Sequence, residues 1–146
     1  MHFPDLSQYF YSSRFTRAGL LNIGWLDEQH PFPVRPPEDA LLRALWSPCK
    51  EGMARMRGSH RCQFCRPFPS NNSDSVFETF MGETARLGCS EIRVFGADGQ
   101  AFAAPNLIFH YVRAHHYAPP PSFVEAALHG PQPGTVRYQQ ILADYL

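Results

Sequence analysis

The sequence has 146 residues, and its 13 Lys and Arg residues balance 13 Asp and Glu residues, so the formal net charge is zero. This length, with 44% hydrophobic residues, predicts one domain with a real core and excludes a charge-rich disordered chain. A neutral chain makes a nucleic-acid partner unlikely, and no apolar run approaches the roughly 18 residues that cross a bilayer. The sequence opens without a signal-peptide pattern, so we expect a cytoplasmic protein.

The first third of the chain predicts a strand, an extended connection and a helix. The apolar run Leu20 to Leu26 is typical of a short buried strand. Four prolines between His30 and Pro37 withhold backbone donors and predict an extended spacer. Acidic residues at 38 and 39 then favour a helix start, and the helix should run to about Pro48. Its apolar face consists of Leu41, Leu42, Leu45 and Trp46.

A β-hairpin is predicted in the middle of the chain. Residues 90 to 95 alternate between apolar and polar side chains, residues 96 to 99 supply turn residues, and residues 100 to 103 return. Residues 76 to 87 stay open between helix and strand, because Val76, Phe77, Phe80 and Met81 suit a helix whereas Gly82 and the threonines weaken it.

Two more helices are predicted before the C-terminal tail. Pro105 suits the first position of a helix, because its missing N–H would have no partner there, and this helix should end before Pro119. The next helix is expected from Ser122, as N-cap, to Leu128, with Gly130 as a left-handed terminus. The apolar face of the first of these helices consists of Leu107, Ile108, Tyr111 and Val112.

These elements predict the α+β class, in a small domain with a short antiparallel sheet or hairpin and about three helices. We expect residues 1–130 to form this single domain and residues 131–146 to be a tail or strap.

Four cysteines are too few for a disulfide scaffold, and the expected compartment keeps thiols reduced. Cys62 and Cys65 form a C-x-x-C pair whose sulfurs converge if the residues between them make a tight turn. Cys49 ends a helical pattern and Cys89 opens a strand, so we interpret both as small core residues. The C-x-x-C pair is therefore the chemically informative feature.

A second half-site lies beyond 44 intervening residues, where His110 precedes the pair His115-His116. The spacings H-x4-H and H-x5-H both occur in Zn²⁺ sites with two cysteines and two histidines. A compact zinc finger separates its halves by roughly 12 to 15 residues, so this site would instead join distant parts of one fold. The sequence predicts Zn²⁺ bound by Cys62, Cys65, His110 and His115, which links the C-x-x-C loop to a C-terminal helix.

The two histidines do not share one face of an ideal helix. Five steps of about 100° leave His110 and His115 roughly 140° apart, and His116 is one step further. We therefore expect the last helical turn to unwind or to tighten into a 3₁₀ turn, and we favour His115 over His116. His60 remains a competing ligand or a donor to a cysteine sulfur.

The surroundings predict a neutral site in a basic rim. Two thiolates cancel the charge of Zn²⁺, and the arginines nearby should lower the thiol pKa values. These arginines are Arg55, Arg57, Arg61 and Arg66. Two cysteines and two histidines fill a tetrahedral shell, which is the signature of a structural site.

Four segments carry a shared pattern, namely residues 21–27 with 30–32, residues 57–65, residues 91–94 and residues 110–120. Together they resemble a family of small bacterial proteins of unknown function, found largely in actinobacteria and related GC-rich bacteria. The resemblance spans the chain to about Leu128, and the tail after Gly130 lies outside it. In that zinc-finger-like pattern, H-x-C-x-F-C precedes a strand, a hairpin and H-Y-V-x-x-H-x-Y-x-P-P. The resemblance implies His110 and His115 as the histidine pair and implies no activity.

Three functions compete. The first is a zinc-stabilised module that binds a partner, most simply a protein. The second is an enzyme, either a zinc hydrolase with Glu91 or His60 as general base, or a thiol oxidoreductase that uses Cys62 and Cys65. The third is a nucleic-acid-binding module built on the arginine cluster and Phe64. Because four protein ligands leave no open position on the ion, we favour the binding module and assign no catalytic residues.

Overall fold

We analysed a computed structural model of the chain, which describes residues 2–9, 19–53, 61–65 and 76–145. Four helices and five strands lie in these ranges, in agreement with the predicted α+β class and with one helix more than expected. The strands are β1 (Leu20–Asn22), β2 (Val76–Phe80), β3 (Glu83–Leu87), β4 (Glu91–Phe95) and β5 (Ala101–Pro105). The helices are α1 (Asp39–Glu51), α2 (Ile108–His115), α3 (Pro121–His129) and α4 (Val136–Ala143). None of these helices is both long and apolar enough to span a membrane.

The central sheet has the order β1-β5-β4, with β1 parallel and β4 antiparallel to β5. The predicted hairpin is therefore confirmed as β4 and β5. Side chains alternate between the two faces of the sheet, so each face has its own apolar cluster. One face carries Ile92, Val94 and Phe102 against α1, α2 and α3. The other carries Phe95 and Ala101 against α4, Tyr9 and Trp25.

The open segment 76–87 is a second hairpin, β2 and β3, in which Phe80 pairs with Glu83. Its two-residue loop, Met81-Gly82, has φ values of 51° and 79°. Two successive positive φ values are typical of the turns that match the right-handed twist of a hairpin. A methionine rarely occupies this conformation, which is why the turn gave no sequence signal.

Three helix boundaries in the sequence analysis were wrong. Helix α3 begins at Pro121 with Pro120 as its N-cap, so Ser122 lies inside the first turn and does not cap it. Pro105 ends β5 instead of opening α2, which begins at Ile108. Pro105 lies opposite Glu91 in the sheet. The backbone N–H and C=O of Glu91 are both hydrogen-bonded to Met53, on the other side of β4. Glu91 therefore needs no N–H donor from Pro105, and a proline is tolerated at this strand position. Gly130 is extended, with φ −77°, instead of left-handed. A Cβ there would lie 1.9 Å from the carbonyl oxygen of Phe95, so close packing explains this glycine.

The C-terminal residues fold back on the sheet. Helix α4 begins at an N-cap, Thr135, whose side chain accepts a hydrogen bond from the N–H of Tyr138 at 3.2 Å. Tyr138 and Leu142 are buried, and the Tyr138 hydroxyl donates to the carbonyl of Arg93 at 2.8 Å. This helix thereby covers the second face of the sheet.

Candidate metal centre

The C-x-x-C pair lies in a tight turn, as its spacing predicts. Cys62 is buried and Cys65 is half-buried. Between them, the Phe64 ring packs edge-on against Tyr111 and Phe32, with centroid distances of 5.8 and 5.1 Å. These aromatic contacts anchor the turn on α2.

Helix α2 supplies both histidines. His110 is only 5% exposed, and His115 is the half-buried last residue of the helix. The N–H of His116 bonds to the carbonyl of Tyr111, five residues back, whereas an α-helical bond spans four. The N–H of Tyr117 reaches the same carbonyl at 3.1 Å.

This end of α2 is wider than an α-helical turn, not tightened into a 3₁₀ turn. The α-helix extends through His115, so the expected unwinding lies after the histidine pair, at His116 and Tyr117. The rings of His110 and His115 nevertheless lie 5.0 Å apart. His116 has φ 58° and its side chain is exposed outside the cluster.

The four predicted ligand residues meet at one point. Their ligand atoms all lie within 4.8 Å of one another. Cys62 Sγ is 3.3 Å from His115 Nε2, and Cys65 Sγ lies 3.2 Å from His110 Nε2 and 3.5 Å from His115 Nε2. In tetrahedral zinc, bonds of 2.3 Å to sulfur and 2.05 Å to nitrogen place the two atoms about 3.6 Å apart. The cluster can therefore hold a metal ion.

Sequence reasoning missed Glu78, which lies on β2 beside α2. Its Oε2 is 3.1 Å from His110 Nδ1, and its Oε1 accepts a hydrogen bond from Arg113 at 3.0 Å. A carboxylate on Nδ1 fixes the imidazole so that Nε2 faces the sulfurs, as is usual for metal-binding histidines. Burial alone would raise the pKa of Glu78, but His110 and Arg113 hold it below its ordinary value. The segment 76–87 gave no signal for this role.

The expected lowering of thiol pKa values was wrong for Cys62. Burial raises the pKa of Cys62 to about 12, which the N–H groups of Phe64 and Cys65 only partly offset by donating to its sulfur. Burial also lowers the pKa of His115, and His110 adds to this effect. His115 is therefore neutral at pH 7, which is the form that binds a metal.

The other two cysteines have different environments. Cys49 is fully buried, and burial raises its pKa to about 12, in agreement with a core role. Cys89 is half-buried instead of being a core residue, because it lies in the bend before β4 and not in the strand itself.

The remaining candidates lie elsewhere. Glu91 accepts hydrogen bonds from Tyr9 at 2.7 Å and from Arg93 at 2.8 Å, in a buried network on the second face of the sheet. Arg61 is exposed. Four of the residues named above fall outside the described ranges, namely Arg55, Arg57, His60 and Arg66.

Comparison with known proteins supplies a family but no activity. Residues 1–128 match the domain of unknown function DUF7919, and the match includes all four residues of the cluster and Glu78. No curated protein and no solved structure matches the chain. The matched segment ends within α3 and excludes α4. Because it covers most of the sequence, the chain belongs to the uncharacterised DUF7919 family.

Proposed function

We propose that the chain is a zinc-binding domain in which Cys62, Cys65, His110 and His115 hold one structural Zn²⁺ ion. The observation that carries the proposal is the sulfur-to-nitrogen spacing of 3.2 to 3.5 Å, close to the edge of a zinc tetrahedron. Two thiolates and two neutral imidazoles neutralise the ion, and thiolate and imidazole donors suit zinc better than they suit magnesium or calcium.

A structural role follows from the number of donors. Four protein ligands fill the tetrahedral shell, whereas a catalytic zinc ion keeps one position for water. Glu91, offered above as a general base, is engaged with Tyr9 and Arg93 and does not belong to the cluster. The arrangement therefore does not favour a hydrolase.

Thiol oxidoreductase chemistry is also disfavoured. Such enzymes use a cysteine whose pKa is lowered toward neutrality. Burial instead raises the pKa of Cys62 to about 12, so its thiol is a poor nucleophile until a metal displaces the proton.

The remaining role is binding, and we propose a protein partner. A chain with zero net charge is not strongly attracted to the negative phosphates of nucleic acid. A metal ion with four protein ligands has no open position for a ligand, so a partner would bind to the surface of the domain. The metal would take the place of core contacts by joining the Cys62–Cys65 turn to α2.

Elemental analysis of the untagged protein, combined with thiol titration before and after chelation, tests the zinc site. We expect one zinc ion per chain, with Cys65 reacting only after chelation and with a lower melting temperature for the metal-free protein. Absence of tightly bound zinc, with Cys65 reactive from the start, would refute the proposal.

Two pairs of variants sharpen this test. Cys62→Ser should lose zinc, whereas Cys89→Ser, at a half-buried cysteine outside the cluster, should keep it. His115→Ala should lose zinc, whereas His116→Asn should keep it, because asparagine tolerates the left-handed conformation at 116. A full complement of zinc in Cys62→Ser would contradict the ligand set.

A further inference from the structure

A second group of metal-ligand side chains lies at the N-terminal end of the structure. The backbone bridge between Phe3 and Trp25, with an N–H to O distance of 3.3 Å, brings His2 to the turn that carries Asp27 and His30. The Phe3 ring packs edge-on against Trp25 at 5.6 Å and supports this bridge. His2 therefore lies in the same cluster as Asp27, although the two residues are 25 positions apart in sequence.

The three side chains are close enough to share an ion. One ligand atom from each of His2, Asp27 and His30 lies within 4.8 Å of the others. The imidazole rings of His2 and His30 stack with centroids 3.9 Å apart and planes 4° from parallel. Asp27 Oδ1 lies 2.6 Å from His30 Nδ1 and also accepts the N–H of Gln29 at 3.2 Å.

We infer that His2, Asp27 and His30 form a second metal site, which takes an exchangeable divalent transition-metal ion such as Zn²⁺. Imidazole nitrogen with carboxylate oxygen is a donor set that suits zinc, nickel and copper. The hydrogen bond from His30 holds the pKa of Asp27 below its ordinary value, so the carboxylate is charged at neutral pH.

Asp27 and His30 already place two donor atoms side by side. Asp27 Oδ1 and His30 Nδ1 lie 2.6 Å apart, so both atoms can bind one ion when it replaces the hydrogen bond between them. Parallel stacked rings do not aim their in-plane lone pairs at one point, so binding requires one ring to rotate. The His30 side chain is 51% exposed, which leaves room for this rotation.

The second site differs from the cysteine site in its open coordination. Three protein ligands with one negative charge leave a net charge of +1 on a Zn²⁺ ion and at least one position for water or an external anion. The site lies beside the cysteine turn, because the N–H of Glu28 donates to the Gln63 side chain at 2.9 Å. It shares no ligand with that turn.

Titration of Zn²⁺ alone into the untagged, zinc-loaded full chain tests the inference, by calorimetry and by ¹⁵N-edited spectra of the imidazole rings. We expect one further, weaker equivalent of Zn²⁺ per chain, with shifts confined to His2 and His30. His2→Ala and His30→Ala should each abolish this equivalent, and Asp27→Asn should weaken it by at least roughly 10-fold, because a neutral amide replaces the charged carboxylate ligand. His129→Ala, at an exposed histidine of α3, is the matched control and should change nothing.

The outcomes separate this site from the cysteine site. If zinc at Cys62 and Cys65 were absent, the tight equivalent would be missing while uptake dependent on His30 would persist. No additional equivalent, or an additional equivalent unchanged in His30→Ala, would overturn the second site and leave the first intact. Loss in His2→Ala with full retention in His30→Ala would also overturn it, because the ion would then lie outside this cluster.

Discussion

At the scale of single residues, the candidate metal centre is supported by side chains that lie outside the motif. Glu78 holds His110 through Nδ1 and at the same time pairs with Arg113, whose guanidinium also bonds to the carbonyl of Thr79 at 2.7 Å. This chain of contacts fixes one histidine relative to β2. The second histidine, His115, has no such carboxylate among the contacts of the described residues, and it is the last residue of α2.

Substitution of Glu78 by glutamine should weaken zinc binding without unfolding the protein. The amide keeps the shape of the side chain but loses the charge that orients His110, and we expect an affinity loss of roughly 10- to 100-fold. Competition with a chromogenic chelator measures this loss. Glu83→Gln, at an exposed glutamate of the same hairpin, is the control and should bind as the parent does. Equal affinities in the two variants would mean that Glu78 does not support the site.

Zinc binding should release protons, most of them from sulfur. The pKa of Cys62 is about 12 in the metal-free protein, so this thiol is protonated at pH 7 and must lose its proton when it binds zinc. We therefore expect at least one proton released per zinc ion, from Cys62, and affinity that rises with pH between about 6 and 8. Calorimetry in buffers of different ionisation enthalpy counts them, and a count near zero would contradict thiolate ligation.

At the scale of secondary-structure elements, the passage from β5 to α2 sets the position of both histidines. Asn106 is 1% exposed and lies in this passage. Its amide accepts the N–H of Gly88 at 2.8 Å and donates to the carbonyl of Cys49 at 3.2 Å, while its own N–H reaches Ser90 at 2.9 Å. One side chain thus ties the start of α2 to the end of α1 and to the bend before β4.

Removal of the Asn106 amide should destabilise the fold considerably. Asn106→Ala leaves the N–H of Gly88 and the carbonyl of Cys49 buried without partners, and we expect a loss of about 2 to 4 kcal/mol in the free energy of unfolding. Urea denaturation measures it. Gln100→Ala removes a half-buried amide that bonds to Gly19, where water can replace it, and should cost under about 1 kcal/mol. Similar losses in both variants would rule out the bridging role of Asn106.

The same elements show what sequence patterns can and cannot predict. The β4–β5 hairpin and α1 were predictable, because alternation, helical periodicity and turn residues are local signals. The start of α2 was not, because proline suits both the first turn of a helix and a strand position whose donor is not used. Spacing, helix geometry and the family resemblance together singled out the four residues of the cluster, but Glu78 required the tertiary contact of β2 with α2.

At the scale of the whole molecule, the chain has two apolar layers, one on each face of the central sheet. The family match ends at residue 128, before α4, yet α4 covers much of the second layer. The Phe95 ring lies 5.1 Å from Tyr138 and 5.7 Å from Tyr145. The candidate metal centre belongs to the first layer, through α2 and β2, and none of its residues lies on α4.

Deletion of residues 131–146 should therefore separate stability from metal binding. The shortened chain exposes Phe95 and loses the buried Tyr138 and Leu142, and we expect it to lose about 3 kcal/mol or more of stability. It should still bind one zinc ion per chain by elemental analysis. Val136→Ala is the control for α4, because this side chain is 73% exposed, and its melting temperature should not change. An unchanged melting temperature in the shortened chain would contradict the covering role of α4.

The wide separation of the two halves of the metal centre has a consequence in time. His115 follows Cys65 by 50 residues, and synthesis at about 5 to 20 residues per second delays it by roughly 3 to 10 s. For most of that interval, the thiols of Cys62 and Cys65 have been synthesised but neither histidine of α2 has. An ion that arrives early meets only half of its ligands, and an oxidant that arrives early meets two adjacent thiols without a metal. For the proposed zinc site, the order of synthesis thus means that the ion can complete its shell only after α2 has been made.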